Sequence, residues 1–494
     1  TSVLRIREDI TELSEFSDEI HAMVYQVKTD SEALIIGVGG GKDVVTALLA
    51  NNTVVGVEIN DIIINDLMFG KLSDFSGNLY SRDDVTIVLD EGRSYIRSSE
   101  EKYDVIQMSL VDTWAATAAG AFTLTENNLY TVESFIEYIT HLEDDGIFTS
   151  TRYTYEKPQE TVRLIGIALE AMDQIGIENP ENNIVLIKEK LIYPEGVERP
   201  RTPIEGTANF MVKRSAFTEQ EVETLTAKAE EQGFEVIYNP FEQQDNVFNN
   251  LILSENREEF YENYTLDVTP PTDDKPFFFY TLKFKDTFNL FKLTSGQYES
   301  EIFLKTNLGL FILLGTFILT LILALIFLLG PLLFLKIRDL KTNRTTKLII
   351  LLYFAALGLG FILIEISMMQ KFILFLGHPI YALGVILASL LVFSGIGSYT
   401  TDGIKKENLK RSMGRNLIAL IILVILYLFI LQPIFTTFIG NALISRIIIS
   451  VLLLFPMGII MGRFFPLGIR YIDDDYHQMI PWAWSVNGTT SVVG

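Results

Sequence analysis

Gly39-Gly40-Gly41-Lys42-Asp43 stands between two apolar runs, and Glu58 closes the second of them. Glycines let a backbone approach a ligand closely, and the N-terminus of a following helix favours electron-rich groups. A carboxylate at the end of a second strand, about 20 residues beyond such a turn, accepts bonds from both ribose hydroxyls. The chemistry predicted is nucleoside binding. The glycine spacing does not fit Gly-x-Gly-x-x-Gly, which cradles a pyrophosphate. It suits a nucleoside such as S-adenosylmethionine. Asp90 and Glu91 follow a third apolar run, where a carboxylate accepts from an adenine amino group. Asp112 and Trp114 lie just past a fourth, in Ser109-Leu110-Val111-Asp112-Thr113-Trp114.

These residues need a parallel sheet to bring them together. Ala33–Val38, Val54–Val57, Val85–Leu89, Tyr103–Met108 and Gly146–Thr151 read as its strands, the last entered by a turn at Asp144-Asp145-Gly146. Val44–Ala50 and Glu126–Leu142 read as helices, the second with an apolar face of Leu129, Val132, Phe135, Ile136 and Ile139. Asn183–Lys188 and Ala208–Lys213 read as further strands. Phe217–Gln232 reads as a helix opened by Thr218 and Glu221, three residues apart as in a capping box. The alternation predicts a doubly wound α/β sheet. Ligands bind such sheets outside the C-terminal strand ends. Ala115–Leu124, rich in small residues, reads as a gate over that edge.

Charge divides the chain. Thr1–Thr306 carries 25 Lys and Arg against 55 Asp and Glu, a balance of −30, whereas Asn307–Gly494 carries 14 against 7, a balance of +7. An acidic front excludes nucleic acid as a partner, because phosphate binding needs a basic face. No cysteine is present, which excludes disulfides, thiolate zinc sites and cysteine nucleophiles. The four histidines, His21, His141, His378 and His477, show no metal-ligand spacing, so no metal is expected.

The back half predicts an all-α transmembrane bundle. Apolar runs near bilayer length occur at Leu308–Leu329, Leu348–Ile366, Ala382–Ser398, Leu417–Ile439 and Ile444–Phe465, with a truncated sixth opening near Met479. Met368–Leu376 carries Lys371 and precedes Gly377-His378-Pro379, so it reads as interfacial or re-entrant. Glu365 is expected either inside the bundle or at the interface, with Arg446 and Arg463 as candidate partners. The predicted organisation is a soluble domain over 1–285, a linker over 286–306 and a membrane domain over 307–494. The start at Thr1 without Met, and the end inside an apolar stretch, lead us to expect missing material at one or both ends.

Leu34–Asp61, Asp90–Arg93, Tyr103–Thr131 and Thr272–Phe279 resemble the polyamine aminopropyltransferase (spermidine synthase) family. They are most similar to its membrane-fused branch, labelled spermidine-synthase-like or SAM-dependent methyltransferase-like. The resemblance covers roughly 18–279, and Gly358–Ser398 and Pro481–Gly494 are similar to the membrane region of those fusions. It implies the class I methyltransferase, Rossmann-like fold, with S-adenosylmethionine or decarboxylated S-adenosylmethionine as donor substrate. Carried over by position, Gly39, Gly40 and Gly41 match the donor loop, Glu58 the ribose acid, and Asp90 or Glu91 the adenine acid. Asp112 matches the second aspartate of the family's Asp-x-x-Asp, and Tyr130 the tyrosine after the gating loop. Thr272–Phe277 matches a late acidic motif.

Two departures stand out. The family loop reads Gly-Gly-Gly-Asp-Gly, whereas here Lys42 precedes Asp43 and the last glycine is missing. The family's proposed base, the first aspartate of the pair, is Ser109 here, and a neutral serine is a poor proton acceptor. The donor site is thus expected to be retained and the acceptor chemistry changed. The expected function is a membrane-anchored transferase moving a methyl or aminopropyl group to a small cationic amine or a membrane-resident acceptor. Alternatives are a non-enzymatic nucleoside- or polyamine-binding sensor or transporter, or a structural subunit. The lipid bilayer and a homo-oligomeric or larger membrane assembly are the other expected partners. The basic loops around Lys336–Lys347 and Lys405–Arg415 lie two spans apart and so mark the cytoplasmic side. They would put the soluble domain outside, whereas the donor, made inside cells, argues for a cytoplasmic one.

Overall fold

The structure, a computed structural model, describes residues 3–7, 9–111, 126–155, 157–190, 204–283, 300–330 and 344–494. It divides into two compact units, Thr1–Phe311 and Ile312–Gly494.

The first unit is an α/β sheet of eight strands: β1 (Glu32–Ile36), β2 (Thr53–Glu58), β3 (Val85–Leu89), β4 (Tyr103–Ser109), β5 (Leu142–Tyr155), β6 (Ile184–Lys190), β7 (Ile204–Lys213) and β8 (Glu235–Tyr238). Their order is β3-β2-β1-β4-β5-β7-β6-β8. The pairs from β3 through β5 are parallel, and β7 runs antiparallel to both β5 and β6. That order and that single reversal are the class I methyltransferase arrangement, to which β8 adds an antiparallel edge. The central strands are short runs of Val, Ile and Leu because both of their faces are covered. Helices α1 (Lys42–Leu49), α2 (Gly92–Ser98), α3 (Val132–Thr140), α4 (Glu160–Gln174) and α5 (Glu219–Gln232) pack around them. One core cluster joins Ile35, Val44, Val54, Val105 and Ile147 to Met23, Val24 and Tyr25 of a 3₁₀ segment, Ile20–Gln26.

Several expectations are corrected. The helix expected from Glu126 begins only at Val132. There the Thr131 hydroxyl accepts from the Ser134 amide at 3.2 Å and the Ser134 hydroxyl from the Thr131 amide at 3.0 Å, a reciprocal cap that fixes the start. The fifth strand opens at Leu142 and carries through Asp144-Asp145-Gly146, which is an irregularity in its pairing with β4 rather than a turn before it. The strand extends to Tyr155 because β7 pairs along it from Ile147 to Tyr155. The Thr218–Glu221 capping box forms as expected.

The second unit is all α-helical. Helix α6 (Ser300–Ala324) leads into it, followed by α7 (Arg344–Leu376), α8 (Pro379–Tyr399), α9 (Leu409–Phe438), α10 (Leu443–Tyr476) and α11 (Ile480–Val493). Among the described residues, four helices are long and apolar enough to cross a membrane: Thr345–Leu376, Pro379–Tyr399, Lys406–Phe438 and Leu443–Ile472. A shorter apolar stretch, Ile312–Phe327, lies in the first expected span. Met368–Leu376 is not a separate re-entrant piece but the last turns of α7. The break comes after it, at Gly377 with φ +76°, and the His378 ring nitrogen then accepts from the Ile380 amide at 3.1 Å to cap α8. Glu365 is buried in α7, and no ion pair joins it to Arg446 or Arg463 among the described residues. Arg446 instead donates to the Phe375 carbonyl at 3.1 Å.

Glycines set how closely α8 and α10 pack. A Cβ on Gly462 would sit 2.1 Å from the Ser394 carbonyl oxygen, and one on Gly397 would sit 2.2 Å from that of Ile459. Such backbone contact is how small residues join membrane helices. Gly462→Val must push the two helices apart, at a cost of about 1–3 kcal/mol. Its thermal midpoint in detergent should fall, whereas valine at Gly384, with open space around it, should leave the midpoint unchanged.

Candidate functional site

The C-terminal edge of β1, β2, β3 and β4 collects the residues singled out in the sequence. Beyond β1, the chain turns through Gly39 (φ +53°) and Gly41 (φ +91°), and Gly41 caps α1. A side chain at Gly41 would also meet Leu79 at 2.4 Å, so the turn needs glycine there for both conformation and space. The Tyr80 hydroxyl donates to the Gly39 carbonyl at 2.9 Å and holds the turn from below. Burial, with Glu58 nearby, raises the Tyr80 pKa, so it remains a donor.

Glu58 is buried at the end of β2. One carboxylate oxygen accepts from the Gly39 amide at 3.0 Å and the other from the Asn60 amide at 3.0 Å. Each oxygen has a second lone pair, so the group is oriented without being exhausted. At the end of β3 the two acids differ. Glu91 caps α2, accepting from the Arg93 amide at 3.2 Å and the Ser94 amide at 2.8 Å. Asp90 is half-buried and accepts from the Glu91 amide at 2.8 Å. Of the two, Asp90 is the better placed to meet a ligand.

Ser109 ends β4, and Leu110 then adopts a left-handed conformation, φ +49°, unusual for a branched side chain. Its amide donates to the Thr151 carbonyl at 3.1 Å, which fixes the sharp exit. Beneath Ser109 runs a buried polar chain. The Tyr25 hydroxyl donates to Gln107 Oε1 at 2.5 Å, and Gln107 Nε2 donates to the Ser109 hydroxyl at 3.1 Å and to the His21 carbonyl at 3.1 Å. Ser109 in turn hydrogen-bonds the Asp43 carboxylate. Burial pushes the Asp43 pKa up to about 7, against the pull of Ser109 and Lys42.

His21 lies alongside, its Nε2 3.2 Å from the Thr46 hydroxyl and 3.7 Å from Asp43. Burial and the Lys42 charge lower its pKa to about 3, so the ring is neutral and this contact is not an ion pair. Lys42, inserted before Asp43, turns away and pairs with Glu19.

Asp112, Trp114 and the expected gate Ala115–Leu124 lie outside the described residues. Tyr130 is wholly buried. Its hydroxyl accepts from Arg152 at 3.2 Å, and its ring stacks on Phe278 at 4.5 Å. It is thus built into the wall of the unit. The late acidic motif is a clasp: Asp273 accepts from Arg93 Nη1 at 2.5 Å and Nη2 at 2.8 Å, and from the Thr131 hydroxyl at 2.8 Å. No cluster of three or more His, Cys, Asp or Glu able to hold a metal occurs among the described residues. Sequence reasoning missed Glu19, His21, Tyr25 and Gln107. The rarity of histidine is the only signal that pointed toward any of them.

No family model and no curated protein matches the chain. Solved structures are similar at low identity. The Thermotoga maritima spermidine synthase is 17% identical, covering 49% of this chain and 76% of its own, with a TM-score of 0.32. A probable spermidine synthase from Corynebacterium glutamicum is 14% identical, covering 53% and 80%, with a TM-score of 0.31. A spermidine synthase in complex with the transition-state analogue AdoDATO is 16% identical, covering 49% and 75%, with a TM-score of 0.31.

Proposed function

We propose that the first unit binds S-adenosylmethionine or its decarboxylated form, and transfers a methyl or aminopropyl group to an amine or a membrane-resident acceptor. The observation that carries this reading is Glu58, held between the Gly39 and Asn60 amides beside a left-handed glycine turn. A ribose diol placed there meets a pre-oriented carboxylate, and the sugar's base side extends toward Asp90. Lys42, the lysine next to the turn, is held by Glu19 rather than offered to a phosphate. The nearby acids Glu58 and Asp90 suit the positive charge of a sulfonium. Displacement at a sulfonium carbon needs chiefly that donor and acceptor be aligned.

Calorimetric titration of the detergent-purified full chain with each donor tests the reading. At least one donor should bind. Glu58→Ala should weaken it by at least about 100-fold, because two hydrogen bonds to a charged group are lost at about 1.5–3 kcal/mol each. Absence of binding by both donors would sink the proposal. We also place this unit on the cytoplasmic side, where the donor is made, although the basic loops favour the opposite face. Protease added to intact cells should then spare the unit, and cutting it there would overturn the placement.

A further inference from the structure

Asp43 is a buried carboxylate that, among the described residues, forms no ion pair with lysine or arginine. Its neighbour Lys42 is drawn off to Glu19, and His21 beside it is neutral. Burying an unpaired carboxylate is unfavourable, so its persistence needs a reason. Its position suggests one. Asp43 lies in the first turn of α1, directly after the glycine turn, and it reaches the hydroxyl at the end of β4. That hydroxyl is directed. Gln107 Nε2 donates to the Ser109 oxygen, so the serine proton is left for Asp43. Gln107 is itself locked by Tyr25, whose pKa is raised by burial and by Asp43 so that it stays a donor. The backbone strain at Leu110 falls on the next residue, and strain of this kind gathers at working sites.

We infer that Asp43, acting through the Ser109 hydroxyl, is the proton acceptor for a primary-ammonium substrate. This rests on the donor reading proposed above. The ammonium gives one proton to the Ser109 oxygen as Ser109 passes its own to Asp43. The freed nitrogen lone pair attacks the carbon on the donor sulfonium. A C–N bond forms, the C–S bond breaks, and its electron pair stays on sulfur as a neutral thioether. Two cations and one carboxylate become a substituted ammonium, a thioether and a neutral carboxylic acid, so charge balances. Lys42, Glu19 and His21 face Asp43 from α1 and the N-terminal segment, Tyr25 lies below, and Glu58 lies across the turn. Of these, only Lys42 is cationic. Asp43 therefore sits in a setting that holds its proton affinity near neutrality rather than far below it.

The test uses the full chain in detergent, whichever donor binds, and 1,3-diaminopropane and 1,4-diaminobutane as probes, with release of the thioether nucleoside as readout. Turnover should rise with pH through about 7. Asp43→Asn should reduce it about 100-fold or more while donor affinity stays within about tenfold, which also shows that the variant folds. The double variant Asp43→Asn with Ser109→Asp puts a carboxylate back at the end of β4, and should recover turnover about tenfold over Asp43→Asn alone. Asp43→Asn working at the parent rate with the parent pH profile would overturn the assignment. So would donor binding with neither diamine releasing thioether. Failure of both donors to bind would instead remove the donor reading itself.

Discussion

Arg93→Ala should weaken the first unit by about 3 kcal/mol, near the lower end of what breaking a buried ion pair costs. The guanidinium is about 1% exposed. It donates to Glu137 at 2.8 and 3.2 Å, to Asp273 at 2.5 and 2.8 Å, and to the Asn128 carbonyl at 3.1 Å. Truncation leaves two carboxylates facing each other without their cation. Each is still about a fifth exposed, so water offsets part of the loss, which is why the lower figure applies. The network ties α2, α3 and the late Thr272–Phe277 segment into one block beneath the adenine-side edge. Its loss should therefore show in the whole sheet. Hydrogen exchange of β4 amides in the full chain should accelerate about 100-fold at neutral pH. Arg93→Lys should fall between, because one ammonium cannot reproduce two forked contacts. Unchanged β4 exchange in Arg93→Ala would mean that the clasp is local and that the sheet edge is held by packing alone.

That clasp also shows where sequence reading stops. The strand–turn–helix–strand–acid series from Ala33 to Glu58 was legible because each piece is a local apolar run punctuated by glycine. The start of α5 was legible because Thr218 and Glu221 lie three residues apart in the chain. Arg93 and Asp273 are 180 residues apart, and nothing local joins them. Read alone, Asp273 was one acid of a late acidic motif with no partner in view. In the structure it is a partner for a buried cation. Tyr130 likewise meets a partner distant in the chain, its hydroxyl accepting from Arg152 of β5. The extension of β5 was invisible because β7, about 50 residues later, decides how far pairing runs. Met368–Leu376 was misread because Lys371 suggested an end to the helix. Helix α7 instead continues to Gly377, where a left-handed residue stops it. The chain below Ser109 was hidden for a different reason. Ile20–Gln26 is a 3₁₀ segment with six consecutive buried residues, so no amphipathic period marks His21 or Tyr25 as pointing anywhere.

Asp43→Asn should make the protein more stable at pH 8 while removing turnover, a pairing that an ordinary structural aspartate would not give. The sign follows from linkage. Burial raises the Asp43 pKa from 3.8 to about 7 in the folded state. The folded protein therefore binds this proton more tightly than the unfolded chain does. Below about pH 4 both states are protonated and the site has no net effect. As pH rises from there toward 7 the unfolded chain gains by ionising while the folded one resists, and stability falls. Above pH 7 the full difference applies, up to roughly 4 kcal/mol. Asparagine keeps the shape and the bond to Ser109 but has no charge to desolvate, so it removes that penalty. Unfolding midpoints of parent and variant should nearly coincide below about pH 4, differ by roughly a third of the full amount at pH 5, and separate by several degrees at pH 8, with the variant higher. A variant less stable than the parent at pH 8 would mean that the Asp43 carboxylate is ionised and satisfied by Lys42 or the α1 amides, and so a poor proton acceptor. The predicted opposition between stability and turnover is the mark of a group kept for chemistry at the expense of the fold.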